Sequence, residues 1–420
     1  MDHQWKGALM ADITTREAVE EAARDCYSRL LAFLAARWRD VAAAEDALAD
    51  AFQAALESWP CTGVPDRPQA WLLTTAHRRL IDHVRHARVR EGAASTLLAL
   101  AEQAQNAPSS HEIFPDERLK LLFICAHPAI DASARTPLML QTVMGMDAAR
   151  IASAFLVQPS AMGQRLTRAK AKIRDAGIPF ELPESAELPP RLDAVLQGIY
   201  AAYGSGWDNV VGADPRRKGL ALEAIDLGRL LSRLMPAEPE VQGLLALMLH
   251  CEARRDARRT AEGRYVPLSD QDMARWARPM MEAAEKYLAG AAQCGRSGRF
   301  QLEAAIQSVH ARRAVAGYTD WDAIALLYEG LVGHAPTIGA LVGRAAAVAE
   351  ARSAESGWRL LEGIPVEAIK SYQPYWALAA HLLSRMHRTG EATAAYERAI
   401  GLCEDPAMRD FLAEKARHLV

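Results

Sequence analysis

Two segments of this chain carry arginine and lysine at spacings suited to gripping a polyanion. The first is Ala76–Arg90, with five arginines and one acid, Asp82. Helical spacing puts Leu73, Ala76, Leu80 and Val84 on one face, and Arg78, Asp82 and Arg85 on the opposite face, with Arg79 beside them. Solvated helical faces usually alternate in sign, so so many arginines with so little acid fits a phosphate-facing helix better, although a plain solvated face is the commoner cause of a charge run. The second is Gln158–Arg174, which holds no acid. Met162, Leu166, Ala169 and Ile173 form an inward stripe; Ser160, Gln164, Thr167 and Arg168 point away, and Arg165, Lys170, Lys172 and Arg174 flank them. Such side chains read base edges or hold phosphates in a major groove.

The elements that must position these groups are helical. The chain has 420 residues, half of them hydrophobic and few aromatic, with alanine and leucine dominant and β-branched residues sparse. That composition predicts an all-α protein with a sizeable core and more than one domain. A helix is expected to run from residue 15, with Ala23, Tyr27, Leu30, Leu31 and Leu34 on its face; another over Ala44–Ser58 has Leu48, Phe52 and Leu56 as its stripe. Trp59–Pro68, with three prolines and a glycine, reads as a loop, and Gln69–Arg90 as the basic helix. Asp147 caps a short helix to Phe155, and Pro159 suits the first turn of the next: a helix–turn–helix pattern.

Domain limits follow from composition. Residues 1–90 form a first helical module, 91–112 a linker without Lys or Arg, 113–180 a second module, and 181–420 a helical C-terminal domain beyond the proline-rich 178–190 stretch. Trp376, Ala380, Ala392, Tyr396 and Ala399 have the spacing of a tetratricopeptide unit, and Tyr328 with Pro336 matches the end of an earlier one, so this domain is tetratricopeptide-like. The net charge of −3 excludes a uniformly basic coat protein. Six scattered cysteines, none at C-x-x-C spacing, read as free thiols in a reducing compartment, and Cys125/His127 and His250/Cys251 as core rather than metal ligands. No signal peptide or long apolar run is present, so the expectation is a cytoplasmic protein without cofactor or membrane partner. No P-loop, G-x-S-x-G, H-E-x-x-H or dinucleotide fingerprint occurs, which argues against an enzyme.

Glu45–Phe52, Trp71–Arg85 and the 147–174 helix–turn–helix together resemble regions two and four of bacterial sigma factors of the extracytoplasmic-function type. Leu119–Pro128, Arg174–Phe180, Glu223–Ile225, Asp270–Trp276 and Gln301–Ile306 resemble the subgroup with a long C-terminal helical extension. The resemblance implies that the 45–57 helix docks on the β′ clamp helices of RNA polymerase through Asp46, Asp50 and Phe52, with a second contact on the β flap. It implies that the 59–68 loop holds a flipped base, with Trp59 and Asp66 as pocket residues, although Trp59 is equally a core residue. Arg78, Arg79, Asp82 and Arg85 would then grip the melted strand of the promoter element nearest the start site. Ser160, Gln164, Arg165, Thr167, Arg168 and Lys172 would engage the more distant element. Residues 1–180 hold 21 basic and 21 acidic side chains, so sequence recognition is expected once polymerase positions both modules. Residues 181–420 hold 28 basic and 31 acidic side chains, which suits a regulatory domain acting in cis or receiving a protein or peptide on stacked helix pairs. The alternative is a helical-repeat scaffold or adaptor that binds no DNA.

Overall fold

The computed structural model describes residues 2–91, 116–155, 157–207 and 215–419. Among these there is no strand, only an isolated bridge between Arg259 and Tyr265, so the all-α expectation holds. No helix among the described residues is long and apolar enough to cross a membrane. The expected linker falls mostly outside the described residues.

The chain divides into two compact units: Met1–Trp207 with Pro215–Leu227, and the remainder from Gly228 with 208–214. The division by packing therefore lies beyond the proline-rich stretch at 178–190, and two helices from the far side of that stretch contribute to the first unit.

In the first unit, α1 (Asp2–Trp38), α2 (Val41–Thr62) and α3 (Pro68–Glu91) pack on one another. Leu30, Leu31 and Leu34 on α1 are fully buried, as their spacing requires. A tight turn with Arg39 at φ 55° leads to Asp40, whose carboxylate accepts from the Ala43 N–H at 3.0 Å and caps α2. Two expectations need correction here. The buried stripe of α2 is Ala44, Ala47, Leu48, Ala51, Ala55 and Trp59, whereas Leu56 is exposed. Alanines at these positions let α1 and α3 come close, so the larger side chains are displaced to the edge. The loop is also shorter than read: α2 runs through Pro60 to Thr62, and Gly63 at φ 82° closes it by donating its N–H to the Trp59 carbonyl at 2.9 Å. On α3 the inward residues are Leu72, Ala76, His77 and Leu80, one position off the stripe read at Leu73.

The same unit contains α4 (Arg118–Cys125), α5 (Ala132–Thr142), α6 (Ala148–Ala154), α7 (Pro159–Asp175), α8 (Leu188–Trp207) and the first part of α9 (Pro215–Leu234). Asp131 and Asp147 cap α5 and α6 through the N–H groups of Ser133 and Arg150, both at 2.8 Å. α6 packs on α7, α5 on α7 and α8, α4 on α1, and α2 on α7.

The second unit comprises α10 (Pro239–Glu252), α11 (Arg278–Gln293), α12 (Arg299–Ala316), α13 (Trp321–His334), α14 (Ile338–Ala351), α15 (Ala354–Glu362), α16 (Val366–Ile369), α17 (Gln373–Arg385), α18 (Thr389–Gly401) and α19 (Pro406–Arg417). Here most contacts run between helices that are close in the sequence, α13 to α14, α14 to α15 and α17 to α18 among them. Small residues set the spacing. A Cβ on Gly243 would lie 2.6 Å from the Gln301 backbone nitrogen, and one on Gly357 would lie 2.6 Å from the Ala345 carbonyl oxygen. Between α17 and α18, Ala380, Ala392 and Ala399 are fully buried and Tyr396 nearly so. Trp376 is half-buried and donates its indole N–H to the Ile369 carbonyl at 3.0 Å. His250, 1% exposed, lies in the core as read from the sequence, and Trp276 is buried as well.

Candidate nucleic-acid interface

α3 presents Arg78, Arg79, Asp82 and Arg85 to solvent, with Arg85 and Asp82 3.8 Å apart on an open surface. The face opposite rests on Trp59 and Trp38. Trp59 packs edge-on against Trp71 with ring centroids 5.5 Å apart, and His77 packs edge-on against Trp38 at 5.6 Å. Trp59 is 1% exposed, so it cannot stack on a flipped base; of its two sequence readings the core one is correct, because the residue sits inside α2 and not on a loop. Asp66 is exposed on the short loop before α3.

α2 exposes Asp46, Ala49, Asp50, Gln53, Leu56 and Glu57 at helical spacing, an acidic strip with Ala49 and Leu56 along one edge. Asp46 and Asp50 therefore stand where a partner can reach them. Phe52 is half-buried and stacks on Tyr27 at 6.2 Å, so it supports the face from below.

On α7 the four inward residues Met162, Leu166, Ala169 and Ile173 are all buried. Ser160, Gln164, Thr167, Arg168 and Lys172 are exposed, and Arg165 is half-buried with a guanidinium N–H donating to the Ser133 carbonyl at 3.4 Å. Thr167 Oγ1 donates to the Gly163 carbonyl at 3.0 Å. Arg165, Arg168 and Lys172 line a cleft of about 430 Å³ against the start of α5, where Asp131 and Ser133 form the opposite wall. The helix N-terminus on that wall is already capped by the Asp131 carboxylate, which takes the Ser133 N–H and feels the charge of Arg165.

Two features of the site were not read from the sequence. Lys170 leaves the basic edge of α7 and pairs with Glu45 on α2 at 2.5 Å, both side chains nearly buried. Burial raises the Glu45 carboxyl above its ordinary value, and the charge and hydrogen bond of Lys170 offset that rise in part. Arg174 lies 3.9 Å from Asp40 at the cap of the same helix. The second feature is a carboxylate on α9, Glu223, which accepts from Ser28 Oγ on α1 and from Arg118 Nη1 on α4 at 3.2 Å. Among the described residues no group of three or more His, Cys, Asp or Glu is placed to hold a metal ion.

Residues 23–90, which span the C-terminal part of α1 with α2 and nearly all of α3, match sigma-70 region 2. The match supports a sigma-70 family factor, a class that binds RNA polymerase and is not catalytic. Residues 191–292 match a family of unknown function (DUF6596). The chain is 38% identical over 389 residues to an uncharacterized protein of Rhizobium meliloti (strain 1021), covering 91% of each, and so belongs to the same family as that protein. No solved structure matches it.

Proposed function

We propose that this chain is a promoter-specificity subunit of RNA polymerase of the extracytoplasmic-function type, with a C-terminal helical extension that modulates it in cis. The observation that carries the reading is the coincidence of the region 2 match at 23–90 with a helical bundle whose third member exposes Arg78, Arg79 and Arg85. In this reading the acidic face of α2 docks on the β′ clamp helices through Asp46 and Asp50, with Phe52 stiffening it from behind. Arg78, Arg79 and Arg85 grip the melted strand, with Asp66 near its path and Asp82 orienting Arg85. The turn-linked pair α6–α7 is a helix–turn–helix that lays Ser160, Gln164, Thr167 and Arg168 into a major groove, while Arg165 and Lys172 take phosphates. Region four would also touch the β flap. The balance of 21 basic and 21 acidic residues over 1–180 supports a chain that needs polymerase before it reads DNA.

The test is in-vitro transcription with the full chain, polymerase core and a promoter library. The expected result is initiation at a defined subset of promoters, lost when Arg78 and Arg79 are both changed to alanine. A chain that neither binds core nor alters where transcription starts would instead support the scaffold reading.

A further inference from the structure

Glu223 lies at a junction of three helices drawn from three stretches of the chain. Ser28 is on α1 inside the region 2 match, Arg118 opens α4, and Glu223 belongs to α9 within the family of unknown function. The contacts span 195 and 105 residues of sequence. Arg118 is 7% exposed on its side chain and is gripped from the other side by Asp116, at 2.9 Å through Nε and 2.7 Å through Nη2. Burial works against ionised Asp116, but the hydrogen bonds and charge of Arg118 outweigh it and hold its carboxyl below the ordinary value. Burial raises the Glu223 carboxyl, opposed by the Ser28 hydrogen bond and by Arg118. A carboxylate this buried is tolerated because both of its donors are in place. One turn earlier Gly219 of α9 lies over the Arg24 side chain of α1, where a Cβ would make an ordinary contact at 3.5 Å.

The same unit carries a second seam, where α2 meets α7 through Glu45–Lys170 and Asp40–Arg174. A subunit that reads two separate promoter elements has to place α3 on one and α7 on the other. Direct packing of α2 on α7 keeps these readers side by side, so promoter engagement requires that seam to part. This step rests on the function proposed above. We infer that residues 219–227 of α9 form a clasp, with Glu223 as its positioning residue, which locks α1 to α4 and thereby holds α2 against α7 in a closed form of the free chain. The extension then restrains the DNA-reading modules through α9 and not through a separate inhibitor. Separating the modules has to break both seams, so weakening either one raises the open fraction.

The test is hydrogen exchange on the full chain without polymerase or DNA. Glu223→Gln keeps the side-chain shape and leaves Arg118 without its second carboxylate. Exchange is expected to accelerate by about tenfold or more in 41–50 and 162–173, while 375–400 in the second unit is unchanged. Lys170→Glu gives the same acceleration, and adding Glu45→Lys restores protection because the pair is remade with reversed charge. Ser28→Ala serves as a milder variant should Glu223→Gln lose its helical circular-dichroism signal. Unchanged exchange in both segments, in folded Glu223→Gln and in Ser28→Ala, overturns the clasp. With the clasp weakened, association with polymerase core should quicken by about tenfold, since more of the chain is binding-competent; faster exchange with an unaltered association rate overturns its gating role. Failure of every variant and of the natural chain to bind core would strike the proposed function and leave the exchange result standing.

Discussion

The two units of this chain solve the packing of helices in different ways. In the first, segments far apart in sequence are tied by buried charge: Glu45 to Lys170, and Ser28 and Arg118 to Glu223. In the second, one such pair, Arg259 with Asp405, spans 146 residues, but most helices pack on sequence neighbours, brought close by the small residues Gly243, Gly357, Ala380, Ala392 and Ala399. A buried ion pair adds little net stability, yet losing one partner is costly. With the clasp inferred above, a few contacts in the first unit would decide between closed and open, whereas the second spreads its packing over many neighbouring helix pairs.

The largest test of that contrast is Trp59→Ala, which removes a fully buried ring between α2 and Trp71. It should cost the first unit about 3–5 kcal/mol, and denaturant unfolding should split into two transitions with the second unit's midpoint unmoved; a common loss in both units would break the comparison. Lys170→Ala comes next. It strands Glu45 with its side chain 14% exposed and should cost about 3 kcal/mol in the same unit, read from the same denaturation curve.

The second unit answers to acid. Burial, then the charges of Arg254 and Arg313, hold the His310 pKa down to about 4 beside Trp321. The folded-state pKa lies below the unfolded one, so this group's contribution is intact above about pH 6.5 and fades as pH falls towards 4, by up to about 3 kcal/mol. His310→Gln should flatten the pH dependence of unfolding over that window. Gly243→Ala drives a methyl into the α12 backbone at Gln301 and should destabilise the second unit by about 1–3 kcal/mol, seen as a lower midpoint. Smallest in stability is Arg85→Ala: its partner Asp82 is as open as itself, so the change is within about 0.5 kcal/mol, while promoter opening in the transcription assay should fall sharply.

What the sequence disclosed and what it hid follow from distance along the chain. The inward stripe Met162–Leu166–Ala169–Ile173 was legible because helical period is local, and Asp147 and Pro159 marked the turn before it. The exposure of Arg78, Arg79 and Arg85 was legible for the same reason. Trp59 was ambiguous because two prolines and a glycine follow it closely, yet α2 runs on through Pro60 in its last turn, giving up one backbone hydrogen bond there without breaking the helix before it. Leu56 misled because an alanine-lined stripe is nearly invisible to hydrophobic patterning. Glu45–Lys170 and Ser28–Glu223 had no local signal at all, since 125 and 195 residues separate the partners.

The two kinds of charge on this protein answer differently to dissolved salt. Arg85, Asp82 and the outer edge of α7 face water, where mobile ions within about 10 Å at 0.1 M weaken every attraction they make. Lys170 and Glu45 face each other almost out of reach of such ions. If α3 and α7 grip a nucleic acid as proposed, rising ionic strength loosens that hold long before it disturbs the seam between α2 and α7, so a concentrated medium favours the chain that is folded shut and empty-handed.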